Sequence, residues 1–297
     1  MTLETFLQNI ANGISLGSLY ALIAIGYTMV YGIIRLINFA HADLLMVASY
    51  AAFYGILVFA LPWWVSFLLA IVITTILGIS IEKIAYRPLR DAPRISALIS
   101  AIGVSFLLEN LGIVLLGARP KPFPRPEEVV WNIHLGGISF LSLAIIIPVI
   151  TLVLLIAVNL IVNKTNVGIA MRAVSRDFET ASLMAVDVNK VVVTTFAVGS
   201  GLAAVGGIMW SLQYPQIDPL MGVFPGLKCF IAAVMGGIGS VPGAMIGGFI
   251  LGMGEVMLVG LMPELSGYRD AFAFVVLILI LLFKPGGILG EHVVEKV

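Results

Sequence analysis

The chain has 297 residues, of which 60% are hydrophobic and only 11% charged, and its mean hydropathy is +1.11. A water-exposed surface needs charge at about a quarter of positions, so a soluble globular domain is excluded. Basic and acidic residues balance at 16 each, which excludes nucleic-acid recognition by a basic field, and a single cysteine, Cys229, excludes an internal disulfide.

A membrane-crossing helix takes about 20 apolar residues, and only helices or closed barrels satisfy their own backbone in hydrocarbon. The fold class that follows is all-α: a polytopic membrane protein with eight or nine crossings, read as one domain over 1–297. The opening stretch Thr2–Asn12 reads as a short amphipathic helix lying at the interface. It lacks the early basic residues of a cleaved leader.

The first span is predicted over Ile14–Ile34. Asn38, His41 and Asp43 follow at its inner end, with Arg35 near enough in sequence to pair with Asp43. A structural polar cluster and a place on a substrate pathway are both open for Asn38 and His41. His41 has no second His or Cys nearby, so no metal site is expected. Further spans are predicted over Leu44–Leu61, Val65–Ala85 and Ile95–Leu116, the last carrying Glu109 in its outer half. Ionisable groups inside spans are costly, and Glu109 either bonds a neighbouring helix or faces a pathway. The proline-rich segment Gly117–Gly137 reads as an extended outer surface loop, and a fifth span follows over Phe140–Ile161.

Lys164–Lys190 is too polar to span and too long for a simple turn. Ile169, Ala173, Val174, Phe178, Ala181 and Met184 recur mostly at steps of three and four, which places one apolar stripe on a short helix. That helix either lies on the inner leaflet or docks a cytoplasmic partner through its stripe.

The sixth span is predicted over Val191–Leu212, with Gly199–Gly207 as a packing face. Gly226–Gly239 is apolar but short; it either joins the span Val241–Leu261 through a break at Ser240–Pro242 or enters as a separate half-helix. The glycines from Gly236 to Gly254 include small-xxx-small pairs suited to close helix contact. Alternatively, Gly239 and Pro242 mark a broken helix on the substrate pathway, with Glu255 beside it. The last span is Ala271–Phe283. With Gly226–Gly239 as a separate crossing and the N-terminus outside, 11 of the 16 lysines and arginines lie inside, as cytoplasmic loops require. A continuous Gly226–Leu261 span moves the C-terminus to the other side.

Five segments carry a family resemblance. The string from Gly168 through Arg172, Ala173, Asp177, Glu179 and Ala181 to Asp187 resembles the coupling loop of LivH-type permeases, the membrane subunits of bacterial ABC importers for branched-chain amino acids. Glu179-Thr180-Ala181 is similar to the Glu-Ala-Ala signature of ABC importer permeases, and Ala185 stands where the family has glycine. Asn12–Gly32, Asn38–Ala42, Gly236–Gly248 and Phe283–Gly290 resemble further family segments in the same order. The resemblance implies a bacterial inner-membrane protein. It implies a second, LivM-like permease subunit, two ABC ATPase subunits and a periplasmic substrate-binding protein as partners. It also implies leucine, isoleucine or valine as substrate, although relatives of this architecture handle urea, amides or other amino acids. Gly168, Arg172, Ala173, Asp177, Glu179, Ala181 and Ala185 are then the coupling residues.

The chain's own residues fit a motor supplied from outside. None of its seven lysines follows a glycine, so no G-K-[ST] phosphate loop exists. No cofactor is expected in this chain; ATP and magnesium belong to the ATPases. There is no H-E-x-x-H zinc motif and no catalytic residue to nominate. A carrier driven by an ion gradient is the competing reading.

Overall fold

Every residue from Ser15 to Val30 is buried, on all faces of the first helix. A helix apolar all round belongs in a core rather than at a surface, and the computed structural model of residues 3–90, 92–135 and 138–290 is built around this one. In chain order the helices are α1 (Leu3–Ile34), α2 (His41–Leu57), α3 (Trp63–Ile81), α4 (Arg94–Leu116), α5 (Leu143–Lys164), α6 (Asn166–Arg176), α7 (Phe178–Leu183), α8 (Val188–Gln213), α9 (Val223–Gly236), α10 (Val241–Leu261) and α11 (Arg269–Phe283). Four short strands complete the outer side. β1 (Lys121–Pro122) pairs antiparallel with β4 (Gln216–Ile217), and β2 (Asn132–Leu135) with β3 (Ile138–Leu141). Lys296 and the predicted boundary residues Thr2 and Gly137 lie outside the described residues.

The tightest contact is between α1 and α10, which run antiparallel. A Cβ added at Gly252 would land on the backbone of Gly17, and one at Gly248 on the backbone of Ala21. The neighbouring face of α10 meets α9 in the same manner, with Gly243 against Gly236 and Gly247 against Ala232. In lipid there is no hydrophobic drive between helices, so such backbone approach is what gives association its dispersion energy. Gly199 and Gly207 of α8 likewise face Val30 of α1 and the backbone of Leu45 of α2, as packing positions.

This arrangement decides between the two sequence readings of Gly226–Leu261. α9 and α10 are separate helices forming an antiparallel hairpin. The break lies at Gly237 and Gly239, whose φ values of 105° and 100° favour glycine. Ser240 then caps α10 by accepting from Gly243 N–H at 3.2 Å, and Pro242 sits in the first turn, where its missing donor costs nothing. Among the described residues, seven helices are long and apolar enough to cross a membrane, and α2 and α9 are shorter apolar helices embedded among them. The C-terminal stretch returns to the α9–α10 turn, with Ile288 N–H donating to Met235 O and Leu289 N–H to Gly236 O. That turn touches Gly32 at the inner end of α1. Lys284 therefore lies on the basic, inner side and Arg269 on the outer side.

One expectation is corrected and a second is refined. Thr2–Asn12 is not a separate interfacial helix: α1 is continuous from Leu3, and its outer end stands against the β2–β3 hairpin, where Gln8 Nε2 donates to Ser139 O at 2.6 Å. The proline-rich outer segment lies at the surface as expected, mostly exposed or half-buried, but it is not a free loop. Phe123 is buried, and Arg125 donates at 2.7 Å to both Leu212 O and Gln213 O, the open carbonyls at the end of α8. The Lys121 ammonium sits 5.1–5.7 Å from the ring centres of Tyr50, Phe53 and Tyr54. The segment is pinned over the outer ends of α2 and α8.

The feature that positions the interior is the short start of α2. His41, its first residue, packs against Gly26 of α1, about 12 Å from the inner end of α1 at 1.5 Å per residue. The first turn of α9 reaches the same level, where Gly222 and Gly226 rest on Ala42. Both helices thus begin inside the bundle, and non-helical chain at that depth is tolerated because protein surrounds it.

Replacing Gly252 with leucine drives a side chain into the backbone of α1 and is expected to cost about 3 kcal/mol. Gly103 of α4 has nothing within 4 Å of an added Cβ, so Gly103→Leu should leave stability nearly unchanged. Thermal unfolding of the two variants in detergent, side by side, checks the contrast.

Candidate functional site

Lys164–Lys190 folds into two helices rather than one. Thr165 caps α6 by accepting from Gly168 N–H at 3.1 Å. Asp177, in extended conformation, ends α6 and caps α7 by accepting from Thr180 N–H at 3.0 Å. Asp187 caps α8 by accepting from Lys190 N–H at 3.1 Å. Side-chain caps of this kind replace orphan backbone partners at helix starts. The same backbone N–H bonds hold the Asp177 and Asp187 carboxyls below the usual carboxylate range, so both caps remain charged.

The loop is seated on the inner ends of three helices. A Cβ at Gly168 would strike the carbonyl oxygens of Ile161 and Val162, so only glycine lets α6 cross the end of α5. Arg172 donates to Val162 O and lies 3.4 Å from Asn163 Oδ1, closing the carbonyls that α5 leaves open. Arg35, at φ 52°, donates to Ser175 O at 3.2 Å and ties α1 to α6. Arg90 donates to Asn189 Oδ1 at 2.8 Å and ties the inner end of α3 to α8.

The predicted apolar stripe is only partly the one that packs. Gly168, Met171, Val174 and Ala181 are buried and Phe178 half-buried, whereas Ile169, Ala173 and Met184 point outward. Within α6 the buried face runs through Gly168, Met171 and Val174 at steps of three, so Ile169 and Ala173 fall beside it; Met184 lies past the end of α7. Outward-facing residues are Val167, Ile169, Ala173, Glu179, Leu183 and Met184, with Leu183 and Met184 85% and 75% exposed. Ala185 is exposed and sits at φ 60°. Its backbone is therefore left-handed, a conformation that favours glycine over alanine.

Inside the bundle, Tyr86 donates from its hydroxyl to Asn38 Oδ1 at 3.0 Å. His41 is fully buried with its ring 4.5 Å from that of Tyr27. Asp43 accepts from Ser105 of α4 at 2.6 Å, and half-buried Glu109 follows one turn later on α4. Arg35 does not pair with Asp43, since its guanidinium turns to the inner loop. Glu255 is engaged elsewhere: Lys228 of α9 meets its two oxygens at 3.0 and 3.1 Å, and Tyr20 donates to it at 3.1 Å. Lys228 also reaches Asp270 of α11 at 2.8 Å. Gly239 and Pro242 lie in the inner α9–α10 turn, away from this ion pair and from the start of α2.

Lys228 was not singled out from the sequence. Its signal is a lysine within an apolar helix, matched by a glutamate an antiparallel hairpin away. Gly13-Ile-Ser15-Leu-Gly17 has the spacing of a hydrolase nucleophile elbow, but it lies within α1 rather than at the strand-to-helix turn that exposes such a serine, and Ser15 is buried.

The sequence pattern of the family described as branched-chain amino acid transport system, permease component, matches residues 9–281. The chain is 41% identical to the high-affinity branched-chain amino acid transport system permease protein BraD of Pseudomonas aeruginosa, over 98% of each chain. It is 42% identical to the corresponding LivH protein of Escherichia coli K12, again over 98% of each. A more distant similarity, 26% over 92% of this chain and 83% of the other, links it to the ribose import permease protein RbsC of Haemophilus influenzae. No solved structure matches the chain.

Removing one member of a buried ion pair leaves the other charge uncompensated. Lys228→Ala is expected to cost about 3 kcal/mol or more, and the double change Lys228→Met with Glu255→Met distinctly less. Thermal melts of the single and double variants read this difference. Ala185→Gly relieves the left-handed strain and should stabilise the α7–α8 junction by about 1 kcal/mol, measured as slower amide exchange over residues 181–190.

Proposed function

The chain belongs to the family of branched-chain amino acid transport system permease components, and from that premise we propose that it is the membrane-spanning subunit of a bacterial ABC importer. Leucine, isoleucine and valine are the substrates this reading assigns, delivered outside by a periplasmic binding protein. A second permease subunit of related sequence completes the pathway in the inner membrane. Two ATPase subunits dock inside and use ATP and magnesium; this chain carries no phosphate loop of its own.

The observation that supports the motor contact is the inner loop. It is a capped pair of helices fixed to α1, α5 and α8, and its outward face presents Leu183 and Met184 beside Glu179. Apolar side chains held rigidly outward, clear of the bundle, fit a groove on a partner. Within the proposed set, Gly168 and Arg172 seat the loop on α5, Ala181 packs it inward, and Asp177 fixes the angle between its helices. Ala173 and Glu179 face the ATPase, and Ala185 sets the exit into α8. Movement of a closing ATPase pair pulls α6 and α7, and Arg35 passes the displacement to α1. On the pathway side, Asp43 and Glu109 stand across the α2–α4 interface, where a carboxylate attracts the ammonium of a zwitterionic amino acid.

Leu183→Asp and Glu179→Lys change the outward face without touching the seat on α5. Both variants should lose at least about ten-fold in bound ATPase, a coupling loss of about 1.4 kcal/mol or more, while the two permease subunits still co-purify. Retention of the ATPase by both, or uptake of leucine into liposomes by this chain alone, rejects the importer reading in favour of a gradient-driven carrier.

A further inference from the structure

α3 is regular as far as Ile81. Five residues of π-helix, Glu82–Tyr86, then follow, with a single 3-10 turn at Arg87–Leu89. A π turn carries one extra residue in a helix, is poorer in hydrogen-bond geometry, and is found mostly at functional positions. Neither the seat of the loop nor the glycine packing of the core accounts for this one. We propose that the Glu82–Tyr86 turn is the relay that carries movement of the inner loop to the interior end of α2, with Arg90, Glu82, Tyr86 and Asn38 as its positioning residues. The inference rests on the ATPase-coupled function proposed above and names the path by which that coupling reaches the bundle interior.

Each link is a direct contact. Asn189 stands in the first turn of α8, two residues beyond the Asp187 cap that ends the inner loop, and its side chain accepts from Arg90 at 2.8 Å. The same guanidinium holds Glu82 Oε1 at 2.8 Å, with Arg87 at 3.6 Å from that oxygen. Glu82 is fully buried, and its second oxygen accepts no hydrogen bond among the described residues. A buried carboxylate met on one side only is costly to hold, so a rearrangement that answers its open oxygen would be favoured. One turn further, Tyr86 rests on Phe196 of α8 at 5.1 Å between ring centres and donates to Asn38 Oδ1. The backbone carbonyl of Asn38 accepts His41 N–H at 3.1 Å and so opens α2 beside Gly26.

The turn also supplies the discrete change that a relay requires. Shifting the extra residue of a π turn along the helix rotates the side chains it passes by about 100°. Such a shift at Glu82–Tyr86 moves the Tyr86 hydroxyl relative to Arg90. It therefore changes the hold on Asn38 when Asn189 is displaced. A rigid α-helix in its place transmits a tilt but no rotation.

The experiment uses the complete complex in proteoliposomes with leucine as the transported probe. The quantity read is ATP hydrolysed per leucine imported. Tyr86→Phe removes one hydroxyl, and Asn189→Ala removes the outer contact from an exposed position; Arg90→Lys keeps the charge beside Glu82. Tyr86→Phe and Asn189→Ala should each raise the ratio at least about five-fold, with ATPase still bound, whereas Arg90→Lys should retain part of the coupling. Asn189→Ala lies outside the core, so assembly is not at stake in that arm. If import and hydrolysis fall together at an unchanged ratio, the contacts are only structural and the relay is overturned. If the unaltered complex shows no ATP-driven import, the transport function itself fails, and the relay with it.

Discussion

Backbone contact between α1 and α10 sets the rest of the molecule. Glycines on both sides bring the two helices together with no side chain between them, and this is possible only where Gly17, Gly248 and Gly252 meet Ala21 and one another. With α10 so close, α1 has no free face: α5, α8 and α9 take the remaining sides, and α1 becomes the axis. The short helices α2 and α9 can then begin inside the bundle, because α1 and α8 supply walls for chain that is not helical. Interior starts of this kind are unstable against lipid and stable against protein.

The ionisable groups of the interior divide by how fully they are answered. Glu255 receives an ammonium and a hydroxyl from two other helices, so it joins α1, α9, α10 and α11 into one unit. Held by Lys228 and Tyr20, Glu255 has a structural part in joining these helices. Asp43 has one hydroxyl from Ser105 of α4, and Glu109 of α4 meets no basic side chain among the described residues. Of the interior carboxylates, these two retain the capacity to attract a cationic group. Both belong to the α2–α4 side of the molecule, where α4 buries few of its residues within this chain.

Most of the apolar helices and their order were legible because hydropathy acts one residue at a time; the span predicted over Leu44–Leu61 is the shorter helix α2. Helix breaks were less legible. Whether Gly226–Leu261 is one helix or two depends on Gly237 and Gly239 adopting positive φ, which the sequence permits without requiring. The apolar stripe of the inner loop was half legible: Val174, Phe178 and Ala181 keep their predicted face, whereas the buried face of α6 runs through Gly168 and Met171 instead of Ile169 and Ala173, and Met184 lies beyond α7. Ala185 shows a different limit. The family resemblance places glycine there, and packing and backbone conformation are equally good reasons for glycine until φ is known. The ion pair of Lys228 with Glu255 and the contacts of Glu82 were hidden because they join residues through tertiary approach rather than through spacing.

The caps of the inner loop decide how a displacement applied to it would spread. A loop of 27 residues without internal structure absorbs displacement as a change in conformational entropy and moves little at its far end. Here Thr165, Asp177 and Asp187 divide the segment into helices that start and stop at fixed residues, and Gly168 and Arg172 fix the first of them to α5. The short junction into α8 is itself bonded, Ala185 N–H to Ser182 O at 3.1 Å and Val186 N–H to Ala181 O at 3.2 Å, with Ala185 in a conformation that an alanine adopts with strain. Displacement applied at Leu183 and Met184 therefore has two rigid exits. One is Arg35 into α1, which is locked to α10; the other is α8, whose first turn carries Asn189. An axis held on all sides resists translation, so the second exit is the more compliant, and it leads through Arg90 to the one irregular turn in α3.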